Sequence, residues 1–226
     1  GNILAAYFAK QMGVPFGKLI CASNDNKVLY DFFRTGTYDK NREFILTTSP
    51  SMDILVSSNL ERLLYLSCGR DAAKTKELME QLSKNGKYEI TPEMKEFMKD
   101  FSAGYADMEE NAKEIKKVFD DTGYLIDTHT GVAAAVYEQY KTKTGDTTKT
   151  IIASTASPYK FSRSVMEAVL GKKEDTDEFA LIDEMERISG VKIPQAIEEI
   201  RDAKILHNRQ CKPEEMEETV KQTFSK

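Results

Sequence analysis

The chain is poor in the residue types that build metal centres and disulfide frameworks. Its 226 residues include three cysteines, Cys21, Cys68 and Cys211, and two histidines. The cysteines are odd in number and widely separated, without Cys-x-x-Cys or Cys/His ligand spacing, which argues against a disulfide or zinc framework. Isolated thiols of this kind are typical of a reducing compartment, so we expect a cytoplasmic location and no bound metal.

Long apolar runs and an excess of one charge are also absent. No apolar run approaches the roughly 20 residues that span a bilayer, and no signal peptide is visible. With 32 Lys and Arg against 37 Asp and Glu, the net charge is −5, and both signs are mixed along the chain. This balance favours neither a nucleic acid nor an anionic membrane surface as a partner. We therefore expect no nucleic acid and no membrane.

The chain does contain alternating helical and apolar segments, at a length that can bury a substantial core. Residues 3–12 have an amphipathic pattern, residues 18–22 form an apolar run, and residues 27–34 are again helical before Gly36. A second apolar run, at residues 149–153, is predicted as another buried strand. Continuous apolar strands separated by helices are typical of a parallel sheet that is covered on both faces. The predicted fold class is α/β, with a mostly parallel sheet flanked by helices.

Helical patterns with capping residues fill most of the remaining chain. The predicted helices cover residues 59–66, 71–85, 91–99, 108–121, 132–140 and 161–170, with a short strand at 101–105. The charged run 172–178 is predicted to be solvated. Beyond it the chain is again helical, with a break at Pro194 and a last helix after Pro213. We expect residues 1–226 to belong to one catalytic or binding domain, with residues 172–226 as a helical C-terminal extension within it.

Several polar residues lie where α/β proteins bind ligands, and each has a structural alternative. Gly1 and Asn2 open a helix, where free backbone N–H groups and the helix dipole favour a phosphate, although the pair can also form a simple turn. Asn24 and Asn26 follow a buried strand, whose carboxyl end borders the ligand crevice of an open sheet. Their side chains can instead cap the next helix. Position alone leaves both interpretations open.

Thr155 and His129 are two further candidates. Thr155 follows the predicted strand 149–153, where its hydroxyl can bond a bound heterocycle or cap a helix. His129 precedes a helix and has Asp127 as a potential orienting carboxylate, although a structural role is the more frequent one for such a histidine. Periodicity and spacing therefore define only an α/β ligand-binding domain.

Six short motifs, taken together and in order, resemble threonine synthase. None is specific alone, but six in one order across the chain are hard to obtain by chance. They are Gly-Asn-Ile-Leu-Ala-Ala (1–6), Cys-Ala-Ser-Asn-Asp-Asn (21–26), Ser-Pro-Ser-Met-Asp-Ile (49–54), Ser-Asn-Leu-Glu-Arg (58–62), Asp-Thr-His-Thr-Gly-Val (127–132) and Thr-Ala-Ser-Pro-Tyr-Lys-Phe (155–161).

The resemblance implies a lyase of threonine biosynthesis that uses pyridoxal 5'-phosphate (PLP) in the fold of the tryptophan synthase β subunit. Such an enzyme converts O-phospho-L-homoserine and water to L-threonine and phosphate. The chain is expected to be its C-terminal part, with the fold incomplete and the missing N-terminal part of the same protein as a partner. The Schiff-base lysine is expected upstream, since Lys18 and Lys160 lie at positions that the family does not use. The fragment alone is therefore expected to be inactive and without PLP.

The resemblance also implies roles for individual residues. Gly1 and Asn2 are expected to bind the cofactor phosphate, and Thr155 its pyridine nitrogen, where a neutral hydroxyl tunes the ring. No catalytic residue and no metal ligand is expected within the chain. Ser157 stands where the family usually has the histidine of Thr-Ala-His-Pro, which removes the imidazole from that position. The residues expected to line or support the substrate pocket are Asn24, Asn26, Ser49, Ser51, Asp53 and His129.

Two alternative functions stay open. One is a different PLP-dependent lyase or dehydratase of the same fold, against which the motifs at 49–53 and 127–130 argue. The other is a non-catalytic α/β module that binds a phosphorylated small molecule.

Overall fold

Helices and short strands alternate through the computed structural model, which describes residues 1–173 and 175–225. In chain order, the elements are α1 (Asn2–Gln11), β1 (Leu19–Ser23), α2 (Val28–Thr35), β2 (Thr37–Asp39), α3 (Leu60–Ser67), α4 (Ala72–Asn85), β3 (Lys87–Glu89), α5 (Pro92–Phe97), β4 (Phe101–Tyr105), α6 (Met108–Thr122), α7 (Thr128–Thr144), α8 (Ser162–Leu170), α9 (Glu178–Ser189), α10 (Gln195–Arg201) and α11 (Met216–Phe224).

The parallel pair β1–β4 positions the candidate site. Its register runs from Leu19 opposite Phe101 to Ser23 opposite Tyr105, so both strands end at the same edge. The predictions of strands at 18–22 and 101–105 are confirmed, as is the α/β class. Because parallel strands need a crossover connection, residues 24–100 run between the two strands, and they contain α2 to α5 and the short strands β2 and β3.

A second, antiparallel pair was not expected from the sequence. β2 and β3 pair with Tyr38 opposite Tyr88, and the two rings stack at a centroid distance of 5.3 Å. Both tyrosines are buried in the core formed by α1 to α5, where Phe32 of α2 packs edge-on against each ring. This pair joins the ends of α2 and α4, each of which stops at a glycine in the left-handed region.

The prediction of a buried strand at residues 149–153 is wrong. These residues have no regular structure, and the Ile151 side chain is 78% exposed. A strand needs a neighbouring strand to satisfy its backbone N–H and C=O groups. Among the described residues, β1 and β4 pair only with each other, so the apolar run finds no such partner.

Helix α7 packs on the parallel pair and starts at the candidate site. Val132, Ala135 and Val136 of α7 form a small core with Ala106, which follows β4. On another face, Gly131 allows α6 to approach closely, because a Cβ there would lie 2.2 Å from Asn111 Oδ1. Asp127 caps the helix by accepting a hydrogen bond from the His129 N–H. The first turn of α7 is thus fixed on three sides.

The chain divides into two compact units, residues 1–192 and 193–226. The first contains α1 to α9 and both strand pairs, and the second contains α10 and α11. The predicted helical character after residue 177 and the break at Pro194 are confirmed. The predicted solvated run 172–178 includes residue 174, which lies outside the described residues. Within the described part of the chain, no helix has the length and apolar character needed to cross a membrane.

Candidate functional site

A cavity of about 560 Å³ lies along β1, between the start of α1, one face of α7 from His129 to Tyr140, and residues 148–155. Its size is within the range of small-molecule sites, about 300–1,000 Å³. Apolar side chains such as Ile20, Met52 and Ile152 form much of the wall. The predicted site residues that line it are Gly1, Asn2, Asn26, Ser51, His129 and Thr155.

Asp53 and Asn24 lie behind this wall, at the centre of a hydrogen-bonded cluster. Asn24 Nδ2 lies 2.8 Å from Asp53 Oδ1, 2.9 Å from Thr47 Oγ1 and 3.0 Å from Ser49 Oγ. Thr47 donates to Asp53 twice, from its hydroxyl at 2.7 Å and from its backbone N–H at 2.9 Å. Asn24 and Ser49 are both buried. Asn24, Ser49 and Asp53 thus support the pocket from outside it.

Asn26 lines the cavity but uses both ends of its amide within the protein. Its Nδ2 donates to the Ile45 carbonyl at 2.8 Å and to Asp53 Oδ1 at 3.0 Å. Its Oδ1 accepts from the Ile45 N–H at 3.0 Å. This pairing fixes the backbone of Ile45 as a neighbouring strand would. Together with the Asp53 cluster, Asn26 holds residues 45–53 against the end of β1.

His129 connects α7 to the turn that carries Ser51. Its Nδ1 lies 2.9 Å from Asp127 Oδ1, and its Nε2 accepts a hydrogen bond from the Ser51 N–H at 3.1 Å. Burial by itself raises the pKa of the Asp127 carboxyl, but the hydrogen bonds from His129 and Thr130 outweigh it and hold this pKa below its usual range. Asp127 is therefore an anion at neutral pH.

The same cluster also bonds to Ser154, the residue that precedes Thr155. Thr130 Oγ1 donates to Asp127 Oδ2 and lies 2.9 Å from the hydroxyl of Ser154, the residue before Thr155. Neither Thr130 nor Thr47 was expected from the sequence to take part in the site. A threonine three residues after a capping aspartate is a recognisable signal for Thr130, whereas no sequence signal indicates Thr47.

Some polar groups at the cavity have no hydrogen-bond partner within the described part of the chain, and these groups can bind a ligand. The first hydrogen bond of α1 runs from the Ala5 N–H to Gly1 C=O, which leaves the N–H groups of the first turn without helical partners. That turn has no acidic side chain. The hydroxyls of Ser51 and Thr155, both on exposed residues, have no hydrogen-bond partner among residues 1–173 and 175–225. An anion fits the α1 end of the cavity.

Two reactive groups beside the cavity, the Cys21 thiol and the Lys18 amine, are held by burial or by a hydrogen bond. Burial raises the pKa of the Cys21 thiol to about 12, so it stays protonated. Lys18 lines the cavity, but its Nζ donates to the Lys99 carbonyl at 2.7 Å. In the described part of the chain, His, Cys, Asp and Glu form no group of three that could hold a metal ion.

The fold and the site together define an α/β ligand-binding domain whose cavity opens beside the end of a parallel strand pair. Comparison with known proteins identifies the family. Residues 130–204 match the family model "Threonine synthase, C-terminal". The chain is 35% identical to threonine synthase from Saccharomyces cerevisiae, over 92% of the chain and 44% of the relative. It is 42% identical to "Threonine synthase-like 1" from Homo sapiens, over 75% of the chain and 23% of that relative.

A solved structure agrees with these sequence relatives. PLP-bound threonine synthase from Brucella melitensis superposes with a TM-score of 0.69 at 33% identity, covering 84% of this chain and 44% of that one. The chain belongs to the threonine synthase family. It spans less than half the length of each of these relatives.

Proposed function

We propose that the chain is part of a PLP-dependent threonine synthase that converts O-phospho-L-homoserine and water to L-threonine and phosphate. The observation that carries this proposal is the cavity, which brings Gly1, Asn2, Ser51, His129 and Thr155 together from four separate segments. The matches to the yeast and Brucella enzymes support the reaction class.

The residues present fit PLP. The free N–H groups of the first turn of α1 suit the cofactor phosphate, and Gly1 brings no side chain into that position. Thr155 offers an unpaired hydroxyl for the ring nitrogen, a neutral partner in place of a carboxylate. When bound, PLP supplies the electron sink that stabilises carbanions at the substrate. The role of the chain is to bind and orient this group.

The substrate side of the site is assigned to Ser51, with Asn24, Asn26, Ser49, Asp53 and His129 as its support. Ser51 presents a hydroxyl to the cavity, and the cluster around Asp53 keeps its turn in place before a ligand arrives. Such preorganisation lowers the entropic cost of binding. The apolar wall with Ile20 and Met52 limits the access of water to the bound substrate.

The lysine that carries PLP is proposed to lie outside these 226 residues, in an N-terminal part of the same cytoplasmic protein. Ile151, which lines the cavity, is 78% exposed, so that rim is open to further protein. We propose that a fragment without this lysine is inactive and binds PLP weakly.

The test is the assay of the full-length protein that contains this chain. With PLP and O-phosphohomoserine, we expect equimolar phosphate and threonine. A 2-oxo acid in place of threonine supports the alternative of another PLP-dependent lyase or dehydratase. The human relative leaves this alternative open, because the name "Threonine synthase-like 1" states no reaction. Binding of a phosphorylated ligand without any turnover supports a non-catalytic binding module.

A further inference from the structure

The backbone N–H of Ser51 is hydrogen-bonded within the protein, whereas its side-chain hydroxyl lies at the cavity. Its backbone N–H donates to His129 Nε2 at 3.1 Å. Its hydroxyl lies on an exposed side chain at the cavity and has no partner among the residues that the structure describes. The orientation of this hydroxyl therefore depends on what holds the Ser51 backbone.

The position of the proton on His129 follows from the shortest hydrogen bond at each ring nitrogen; at Nδ1 the Thr128 hydroxyl is a more distant partner, 3.5 Å away. Nδ1 lies 2.9 Å from Asp127 Oδ1, and the Asp127 carboxylate, whose pKa is lowered, can only accept a hydrogen bond. Nδ1 therefore carries the proton. Nε2 faces the Ser51 N–H, which can only donate, so Nε2 has a lone pair and no proton.

The ring of His129 is also fixed in place. Its side chain is 10% exposed, and the Phe161 ring packs against it at a centroid distance of 4.7 Å. Asp127, which orients the ring, is fixed in turn as the cap of α7 and accepts from the His129 N–H at 2.8 Å. Both nitrogens are occupied, which leaves no proton on the imidazole that is directed to a ligand.

We propose that His129 is a positioning residue, which holds the Ser51 N–H so that the Ser51 hydroxyl meets the phosphorylated amino-acid substrate. This assignment of Ser51 rests on the proposed function. His129 itself neither donates nor removes a proton in the reaction. Asp127, His129 and the Ser51 N–H together form the Ser51 bridge.

The first experiment uses the 226-residue chain and needs no ligand. Nitrogen-15 NMR of the His129 ring at neutral pH is expected to show the proton on Nδ1, and the Ser51 amide is expected to exchange slowly with solvent. A proton on Nε2 overturns the proposal. So does a Ser51 amide that exchanges as fast as an unprotected one.

Three matched variants extend this test. A glutamine side chain places its oxygen near the position of Nε2, whereas an asparagine reaches only the position of Nδ1. We expect His129→Gln to keep the Ser51 amide protected, and His129→Asn to speed its exchange by about tenfold. Ser51→Ala removes only the hydroxyl and is expected to leave the exchange rate unchanged. Equal exchange rates in the Gln and Asn variants contradict the Ser51 bridge.

Kinetics of the full-length enzyme distinguish positioning from acid–base catalysis. We expect His129→Gln to keep kcat within about threefold of the original enzyme and to leave its pH profile unchanged, while Ser51→Ala raises KM. A loss of about 100-fold or more in kcat for His129→Gln, with a limb missing from the pH profile, shows acid–base catalysis and overturns the proposal. Failure to turn over O-phosphohomoserine refutes the proposed function separately, since the NMR results still decide on the Ser51 bridge.

Discussion

Asn24 donates a hydrogen bond from its side-chain amide to the carboxylate of Asp53, 2.8 Å away. The same Asp53 oxygen accepts from Asn26 Nδ2 and from the Thr47 hydroxyl. Two asparagines that follow β1 are thereby joined to a loop that begins about twenty residues later. Since a carboxylate can accept several hydrogen bonds at once, Asp53 alone can hold this many donors.

Replacing the Asp53 carboxylate by an amide is predicted to destabilise the first unit. In Asp53→Asn, one oxygen becomes an NH₂ group that faces a donor, so a buried N–H or NH₂ loses its acceptor. We expect the free energy of unfolding in urea to fall by about 2–3 kcal/mol. The control is Asp121→Asn on α6, whose ion pair with Lys117 is exposed and is expected to change stability by less than about 0.5 kcal/mol. Equal effects of the two variants contradict this role of Asp53.

Thr155→Val is predicted to weaken function without weakening the fold. The Thr155 side chain is exposed and makes no hydrogen bond within the described part of the chain. The free energy of unfolding of the Thr155→Val chain is therefore expected to differ from the original by less than about 0.5 kcal/mol. In the full-length enzyme, loss of the hydroxyl is expected to weaken PLP binding by about 0.5–1.5 kcal/mol. Thr155→Ser keeps the hydroxyl and serves as the control. Unchanged PLP affinity and activity in the valine variant refute the assignment of Thr155.

Asp127 is predicted to contribute stability that depends on pH. Its pKa is lower in the folded chain than its unfolded value of about 3.9, so the folded state favours the anion. The contribution is complete above the unfolded pKa and is lost as the pH falls through the folded pKa. We expect Asp127→Asn to be less stable than the original chain by about 1–2 kcal/mol at pH 7 and pH 5, with the difference shrinking below about pH 4. Urea unfolding at each pH measures it, and a difference that grows in acid contradicts the lowered pKa.

Gly131→Ala is predicted to push α6 and α7 apart. The added Cβ would lie 2.2 Å from Asn111 Oδ1 and 2.7 Å from Ile115 Cγ1, and both of these side chains are buried. Overpacking is expected to cost about 1–3 kcal/mol of folding free energy. The higher helix propensity of alanine, up to about 1 kcal/mol, offsets only part of this cost. Gly17→Ala is the control, because among the described residues, its two chain neighbours apart, no atom lies within 4 Å of its added Cβ. A Gly131→Ala chain as stable as the Gly17→Ala chain contradicts the close packing.

The sequence predicts the elements whose stability comes from local patterns. β1 is a short apolar run, and α6 has Asp107 and Glu110 in a reciprocal capping box, so both were expected. The antiparallel pair β2–β3 was not, because each strand has three residues and buries one side chain, Tyr38 or Tyr88. Residues 149–153 have the pattern of a strand and lack only a neighbouring strand, which no local pattern reveals.

The sequence predicts which residues belong to the candidate site, but not which of them face a ligand and which support the others. The motifs name Asn24, Asn26, Ser51 and His129, yet only the fold shows which of their polar groups are already bonded. His129 and Ser51 meet across 78 residues, and Asn24 meets Asp53 across 29. Contacts at such separations depend on the packing of α7 and of the 45–53 loop, which sequence periodicity does not determine.

Peptide mapping after borohydride reduction with PLP tests the central claim most directly, namely that this chain forms a wall of a PLP site whose lysine lies elsewhere. With the 226-residue chain, we expect weak and scattered labelling, since an ordinary lysine amine, with a pKa of about 10.4 in model peptides, is mostly protonated at neutral pH. With the full-length protein, we expect one stoichiometric label outside these residues. A single dominant label on Lys18 or Lys149, which both line the cavity, or no label in the full-length protein, contradicts the account.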